Sequence, residues 1–447
     1  MRGLTKIYLG GARLKQVGWR SKMNFREFVE LLDRKGLLKR IKKPAAPKYE
    51  IPTIMKMMDG TPLLFEKVKG HAMQVVANVC STRQLVALGL GVSEDRLLKC
   101  LMDAIESPKE PELKRAEGYS EIKVDLRRLP ILTYYPFDGG PYVASGVVIA
   151  NDPEYGINAS YHRAMVVSND EFVLRILPRD FNKYIERGLK EFAFCIGNPM
   201  PVCVAAAISE ATGVHELAIA NSLSPTPVIQ LGGHTVPESE IVMIMELTGR
   251  MTDEGPFLDL TETADIVRKQ RVARVKRIFV REGALFHGLL PGGLEHKVLM
   301  GMPREPSIYR EVAKVCDVRD VLVTPGGASW LHAAVSIRKK AEDDGKKAIE
   351  AAFRGHRSVK HVFVVDDDID IHKPEEIEWA MATRFQGDTD IVSKREEGSS
   401  LDKSADQQTR MTTKMGFDLT IPWGRDPKEF KRPELPMKLD LKEYLEG

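Results

Sequence analysis

Two short stretches carry residue types that could do acid–base chemistry. The first, Asn158-Ala-Ser-Tyr-His-Arg163, sets an amide, two hydroxyls, an imidazole and a guanidinium within six positions. An unpaired buried polar group costs about 1–3 kcal/mol, so such a run is tolerated where it bonds a ligand or a metal. The ordinary alternative is a polar strand edge. The second, Glu254-Gly-Pro-Phe-Leu-Asp259, sits in a turn-rich segment. Gly-Pro after the first acid sets the backbone and so fixes where the two carboxylates point. Joined by an arginine from elsewhere, they could form a carboxylate–guanidinium–carboxylate relay, with the guanidinium as a planar clamp that stays charged. A carboxylate in such a relay can shuttle a proton. On spacing alone, acids in loops are ordinarily solvated.

The elements around these stretches predict how they are carried. Val143–Ala150 and Ala164–Val167 are apolar, β-branched runs on either side of the turn-rich 151–156, a strand–loop–strand pattern that puts Arg163 on a strand. From Ile122 to about Val272, short runs such as Phe172–Ile176, Val202–Ile208 and Pro227–Gln230 are separated by Gly, Pro or Asn. They predict a β domain, antiparallel or barrel-like, with a helix at Phe181–Gly188. Upstream, Asn24–Gly36 has helical spacing and Ser93 can cap a further helix to Ile105. The apolar runs 62–65, 73–79 and 85–90 complete an α/β piece that ends in the linker 107–117. Downstream, strands at 318–324, 331–337 and 360–365 alternate with helices at 345–354 and 375–383, which predicts a second α/β domain. After Asp388 the sequence reads as irregular, with a short closing helix at 438–446.

Composition limits the function classes. A 447-residue chain exceeds one core, and 43% hydrophobic with 29% charged residues is globular rather than disordered. A net charge of +3 gives no reason to expect nucleic acid as a partner. No run of 18 apolar residues predicts a membrane span. Five cysteines without CxxC spacing read as reduced thiols of a cytoplasmic protein. Residues 1–22 hold six Lys or Arg and no acid, and read as a loose extension or a start-site artefact, with Met23 as the alternative start.

Taken together, Asn158…Arg163, Glu254…Asp259, Pro291-Gly-Gly…His296-Lys297, Val365-Asp-Asp-Asp-Ile-Asp370 and Lys414-Met-Gly-Phe-Asp-Leu-Thr420, in this order, resemble the UbiD family of decarboxylases. The resemblance covers about Asn24 to Thr420. It implies an α/β multi-domain fold: an N-terminal α/β domain (23–117), a central flavin-binding split β-barrel (118–305) and a C-terminal α/β oligomerisation domain (306–447). It implies catalytic Glu254, Arg163 and Asp259. The implied cofactor is prenylated FMN, made by a flavin prenyltransferase and held near Asn158, Ser160, Tyr161, His162, Arg163, Arg179 and Glu216. A divalent metal, Mn or Mg, would sit on Asn158, Glu216 and Asp180, with K⁺ nearby. Asp180 stands where the family has His, which leaves the choice of metal open. A homo-oligomer, dimer or hexamer, is also implied.

The runs 288–306 and 345–356 look most like the archaeal branch, which implies trans-anhydromevalonate 5-phosphate as substrate and isopentenyl phosphate as product. The alternative is a polyprenyl hydroxybenzoate or another aromatic acid. Two basic clusters near Gly-rich loops, His296-Lys297 and Arg357…Lys360, are candidates for the substrate phosphate, and each could equally be a solvated face. Asp366–Asp370 reads as turn and capping acids, and His332 as a core histidine. A flavin oxidoreductase would need a nicotinamide site, yet no GxGxxG follows a strand. A non-catalytic binding protein would leave Glu254, Arg163 and Asp259 without a shared purpose.

Overall fold

A computed structural model of the protein describes residues 22–433, 436, 437, 439 and 444. The basic stretch 1–22, save Lys22, and the closing helix expected at 438–446, save 439 and 444, lie outside the described residues. Two compact units emerge, Met1–Pro303 and Arg304–Gly447.

The first unit is built on a nine-stranded sheet. Its strands are β1 (Tyr119–Ile122), β2 (Tyr142–Val143), β3 (Val147–Asp152), β4 (Gly156–Tyr161), β5 (Ala164–Val166), β6 (Glu171–Leu174), β7 (Glu191–Ile196), β8 (Ile241–Glu254) and β9 (Arg268–Arg281). They pair in the order β2-β5-β6-β9-β8-β7-β3-β4, with β1 added to β9. The path is open, so the sheet does not close into a barrel.

The 14-residue strands β8 and β9 form its spine. Register shifts at Ile244/Met245 and Leu247/Met251 interrupt their ladder, and such bulges bend a strand and increase its twist. Beyond them Glu254, the last residue of β8, pairs with Arg268. One face of the sheet joins the N-terminal residues in a single hydrophobic cluster: Phe28, Leu32, Val86 and Leu101 pack with Val147, Cys195, Val242 and Ile244. The first two segments expected from the sequence therefore share a core. A four-stranded sheet, Lys39–Ile41, Leu63–Phe65, Gln74–Ala77 and Leu285–Gly288, interleaves them further.

Several local expectations are corrected. Val202–Ile208, read as a strand, begins inside the helix Met200–Ala205. Its apolar run has no alternation, Pro199 and Pro201 open the helix, and every side is buried. The apolar run 85–90, part of the expected α/β piece, is a helix, Arg83–Leu90, capped by the Thr82 hydroxyl and ended by Gly91 at φ +70°. The polar stretch 158–161 is itself strand β4, whereas Arg163 falls on the two-residue connection to β5 rather than on a strand.

The second unit carries a five-stranded sheet in the order Asp317–Val323, His332–Arg338, His361–Asp366, Met411–Asp418, Ile391–Glu397. The last two strands lie in the part expected to be irregular. Their hydrophobic pattern is inverted: the buried positions of Met411–Asp418 are Thr412, Lys414, Gly416 and Asp418. Lys414 donates to the Arg357 carbonyl at 2.6 Å and pairs with Glu396 at 2.9 Å, which satisfies a charge no periodicity argument would place inside. Asp366 and Asp368 both accept from the buried Arg384 at 2.9–3.0 Å, and His332 is only half-buried, 2.8 Å from His361. Among the described residues, no helix is long and apolar enough to cross a membrane.

Candidate active site

Arg163 lies at the centre of an ion cluster. Its Nε and Nη2 donate to the two oxygens of Glu254 at 2.9 and 3.1 Å, and Nη1 donates to Asp259 at 2.8 Å. Nη2 also donates to Asp265 at 2.9 Å, and Arg268 holds the same Asp265 oxygen at 2.7 Å. The guanidinium lies over the Phe257 ring at 4.7 Å, a cation–π contact that covers its other face. The Tyr142 hydroxyl donates to Glu254 at 3.1 Å.

Glu254 is fully buried, and Asp259 is the most open of the three acids at 20% side-chain exposure against 7% for Asp265. Burial is the largest influence on Asp265 and raises its pKa. The Arg268 and Arg163 guanidiniums outweigh it and hold the carboxyl at about 2. Burial raises the Tyr142 phenol, and the Glu254 charge raises it further.

Local structure explains the placement. The bend after β8 runs Gly255-Pro256 with a cis peptide and Gly255 at φ +101°. Gly139 packs on this bend so closely that a Cβ there would lie 2.2 Å from the Gly255 carbonyl oxygen. The small hairpin Phe257–Leu258 with Ala264–Asp265 then opposes Phe257 to Asp265, bringing the third acid beside the first two. Sequence reasoning missed Asp265, Tyr142 and Arg268. No spacing rule marks Asp265, and only the hairpin pairing reveals it.

A second polar cluster follows the alternation of β4. The buried Glu216, first residue of helix α1 (Glu216–Leu223), accepts from the Asn158 amide at 3.1 Å and the Ala159 N–H at 2.9 Å. The Ser160 hydroxyl donates to Asn158 at 2.9 Å and lies 3.1 Å from His162 Nε2. His162 Nδ1 donates to the Arg175 carbonyl at 3.0 Å. Burial holds this imidazole neutral, with a pKa of about 4. Burial pushes Glu216 up to about 8, and the charge of Asp180 adds to the rise.

Other expected residues fall as follows. Asp180 accepts from Thr212 at 2.6 Å, and Arg179 is exposed. The Tyr161 hydroxyl donates to the Cys203 carbonyl at 3.1 Å, away from the polar row. His296 feels both Asp259 and Arg163, but burial lowers its pKa. Its Nδ1 accepts from the Gly292 N–H at 3.1 Å, so the proton of the neutral ring is on Nε2. Lys297 is paired with Glu262. Arg357 and Lys360 belong to the second unit, where Lys360 pairs with Asp402 at 2.9 Å.

Comparison with known proteins converges on one family. Models of the N-terminal, Rift-related and C-terminal domains of 3-octaprenyl-4-hydroxybenzoate carboxy-lyase match residues 29–105, 106–294 and 297–419. The chain belongs to the UbiD family of decarboxylases. It is similar to the anhydromevalonate phosphate decarboxylase of Methanocaldococcus jannaschii, 40% identical over 88% of this chain and 96% of the relative. The enzyme of that name from Aeropyrum pernix is 37% identical, over 84% and 88%. Among solved structures, the UbiD-class enzyme HmfF from Pelotomaculum thermopropionicum, in complex with FMN, superposes with a TM-score of 0.90 at 35% identity, over 94% of this chain and all of that one. An evolved dimeric form of HmfF with prenylated FMN gives 0.86 at 34%, again over 94% and all. The UbiD-family chain is thus a carboxy-lyase of mixed α/β architecture.

Proposed function

We propose that this carboxy-lyase removes CO₂ from trans-anhydromevalonate 5-phosphate to give isopentenyl phosphate, using prenylated FMN. The observation that carries the reading is the set of archaeal relatives named anhydromevalonate phosphate decarboxylase, 37–40% identical over most of both chains. The ion cluster supports it chemically.

The fit of the cofactor and its metal rests on Glu216. This buried carboxyl is pushed to about 8 by burial, with the Asp180 charge adding to the rise, an environment that a bound cation would relieve. Asn158, Glu216 and Asp180 are oxygen donors suited to Mg²⁺ or Mn²⁺, and a K⁺ would belong to the same reading. Among the described residues there is no group of three or more His, Cys, Asp or Glu arranged for a metal, so Asn158 and the cofactor phosphate would have to complete the shell. Ser160, His162 and Arg179 border the same strand, whereas Tyr161 acts by packing. When bound, the cofactor supplies the electron sink that an alkene carbon losing CO₂ otherwise lacks.

The protein's own residues do the rest. Four of the five Arg163 N–H groups are committed to Glu254, Asp259 and Asp265, which leaves one on Nη1 to orient the substrate carboxylate. Glu254, fully buried beside Arg163, would deliver one proton to the carbon that lost CO₂ from its carboxylic-acid form, and return to that form by taking a proton from solvent after each turnover. Asp259 and Asp265 keep Arg163 in place. We further read the chain as cytoplasmic, divided at 23–117, 118–305 and 306–447, a homo-oligomer, and supplied with cofactor by a flavin prenyltransferase; the three matched spans support the division.

The test is protein co-expressed with a flavin prenyltransferase, with cofactor verified by mass spectrometry and CO₂ release measured on two acids. Turnover of the phosphorylated aliphatic acid is expected. Loaded protein that instead turns over a prenylated hydroxybenzoate would sink the substrate assignment and leave the decarboxylase standing.

A further inference from the structure

One carboxylate in the first unit is held by two lysines that the acid–base chemistry does not use. Lys297 Nζ donates to Oε1 of Glu262, and Lys56 Nζ donates to Oε2 at 3.0 Å. Lys56 lies in the last turn of the helix Glu50–Met57, and Lys297 in the first turn of the helix Leu294–Gly301. Glu262 lies on the turn that closes the hairpin Phe257–Leu258 with Ala264–Asp265. The turn is tight: the Glu262 N–H donates to the Asp259 carbonyl at 2.8 Å, and the Asp259 N–H to the Thr263 carbonyl at 3.1 Å. Glu262 is thus one hydrogen bond from the acid that holds Arg163. His296, beside Lys297 in the chain, has Asp259 and Arg163 as its strongest charged influences. The two ammoniums therefore border the catalytic cluster.

Charge and exposure make this carboxylate exchangeable. The side chains of Glu262 and Lys56 are nearly half exposed, at 45% and 46%, and an ion pair so open is weak. Lys297 is only 12% exposed, so its ammonium is the fixed member. Lys297 holds the Glu262 carboxyl below its usual range, so the group competes as an anion. Glu262 also sits at φ +57°, a left-handed backbone that glycine or asparagine would suit better. Two ammoniums face one carboxylate charge. Asp59, 3.9 Å from Lys56, turns both of its oxygens to the Leu294 N–H. A phosphate monoester carries about −1.5 to −2 charges at pH 7 and three acceptor oxygens, a better match for two lysines than a single carboxylate. Lysine binds phosphate as a point charge, without the planar fork that arginine needs.

We propose that Lys56 and Lys297 form a seat for the substrate's phosphate monoester, which Glu262 holds in this structure and yields when the phosphate binds. The seat rests on the substrate reading above.

The test compares full-length, cofactor-loaded Lys297→Met, Lys56→Met and Glu262→Gln with the wild type in two arms. In the first, CO₂ release from the phosphorylated acid gives KM and kcat. Losing a charge-assisted hydrogen bond to the phosphate should raise KM about tenfold or more in Lys297→Met, and less in the more exposed Lys56→Met, with kcat changed only a few-fold. Removing the competing carboxylate in Glu262→Gln should instead lower KM about two- to fivefold. Lys297→Arg, which keeps the charge, should recover most of the loss and shows that the loss is not misfolding. In the second arm, inorganic phosphate is titrated calorimetrically into the same proteins. The flavin phosphate is already in place there, so binding reads the lysine seat, and the affinities should move in the same directions. The sign of Glu262→Gln decides: a carboxylate that merely braces the lysines raises KM when lost, and the proposal is overturned. It is also overturned if Lys297→Met lowers kcat alone or moves neither arm, or if phosphate fails to bind the loaded wild type. Wild-type protein that ignores the phosphorylated acid yet binds phosphate with these shifts refutes the substrate reading and leaves the seat standing.

Discussion

Replacing Asp265 by Asn tests whether the acid that the sequence did not mark anchors Arg163 more firmly than Asp259 does. Asp265 Oδ2 accepts from Arg163 and Arg268, and Oδ1 accepts from the Ile266 N–H at 2.9 Å. An amide can offer its oxygen to only one side, so its NH₂ must face either the two guanidiniums or the Ile266 N–H. Losing the charge assistance of two hydrogen bonds costs about 0.5–2 kcal/mol each, and the donor–donor mismatch adds about 1 kcal/mol. The sum is about 2–5 kcal/mol. The same contacts hold the carboxyl at about 2 against about 3.9 unfolded, which corresponds to roughly 2–3 kcal/mol. Asp259 makes one bond to Arg163 and one to Leu260 N–H and is more open, so Asp259→Asn should cost only about 1 kcal/mol. Urea unfolding followed by far-UV circular dichroism reads both variants. Tryptophan fluorescence would not serve, because the tryptophans among the described residues, Trp330, Trp379 and Trp423, all lie in the second unit. If Asp259→Asn costs as much as Asp265→Asn, the reasoning fails and Asp259 is the anchor.

Three further outcomes are expected. With cofactor occupancy matched, Glu254→Gln should keep its fold and bound flavin yet lose about 10²–10⁴-fold in kcat; Arg163→Ala should be worse, because it leaves Glu254 buried without its cation and Asp265 with Arg268 alone, and Asp259→Asn mildest, so a dead Asp259→Asn beside an active Glu254→Gln would reverse their roles. Glu216→Ala should purify folded but without flavin absorbance or bound metal, and normal flavin absorbance would refute its role as a ligand. The folded pKa of Asp265 lies below its unfolded value, so its contribution is complete above about pH 4 and disappears as the pH falls toward 2; the gap in urea midpoint between wild type and Asp265→Asn should narrow over that window, and a gap constant from pH 6 to 2.5 would contradict it.

The neutral His296 alters how substrate recognition is to be understood. With Nδ1 accepting from Gly292 and the proton on Nε2, the ring can donate one hydrogen bond but, being uncharged, cannot neutralise a phosphate. A charged ligand group must find its counter-charge elsewhere in the site.

What the sequence alone determined was chemical type and order. Asn158, Arg163, Glu254 and Asp259 announced themselves because amide, guanidinium and carboxylates on Gly- and Pro-bound turns are poor core and poor linker at once. The long apolar runs marked most strands, and Asn24 and Gly36 bracketed a helix that the structure places at Phe25–Arg34, with Asn24 and Glu27 bonding each other's backbone at its start and Lys35 as its C-cap. Tertiary structure decided which of many acids and arginines matter. Asp265 reaches Arg163 only because a two-residue hairpin opposes it to Phe257, and Glu262 meets Lys56 and Lys297 only because the turn of that hairpin comes to rest beside two helices distant in sequence. Strand 411–418 escaped notice because its inward face carries Thr412, Lys414 and Asp418, polar groups made tolerable by partners distant in sequence. Sequence periodicity reports how a segment meets water, whereas pairing and register, which depend on contacts between distant segments, choose each side chain's partner.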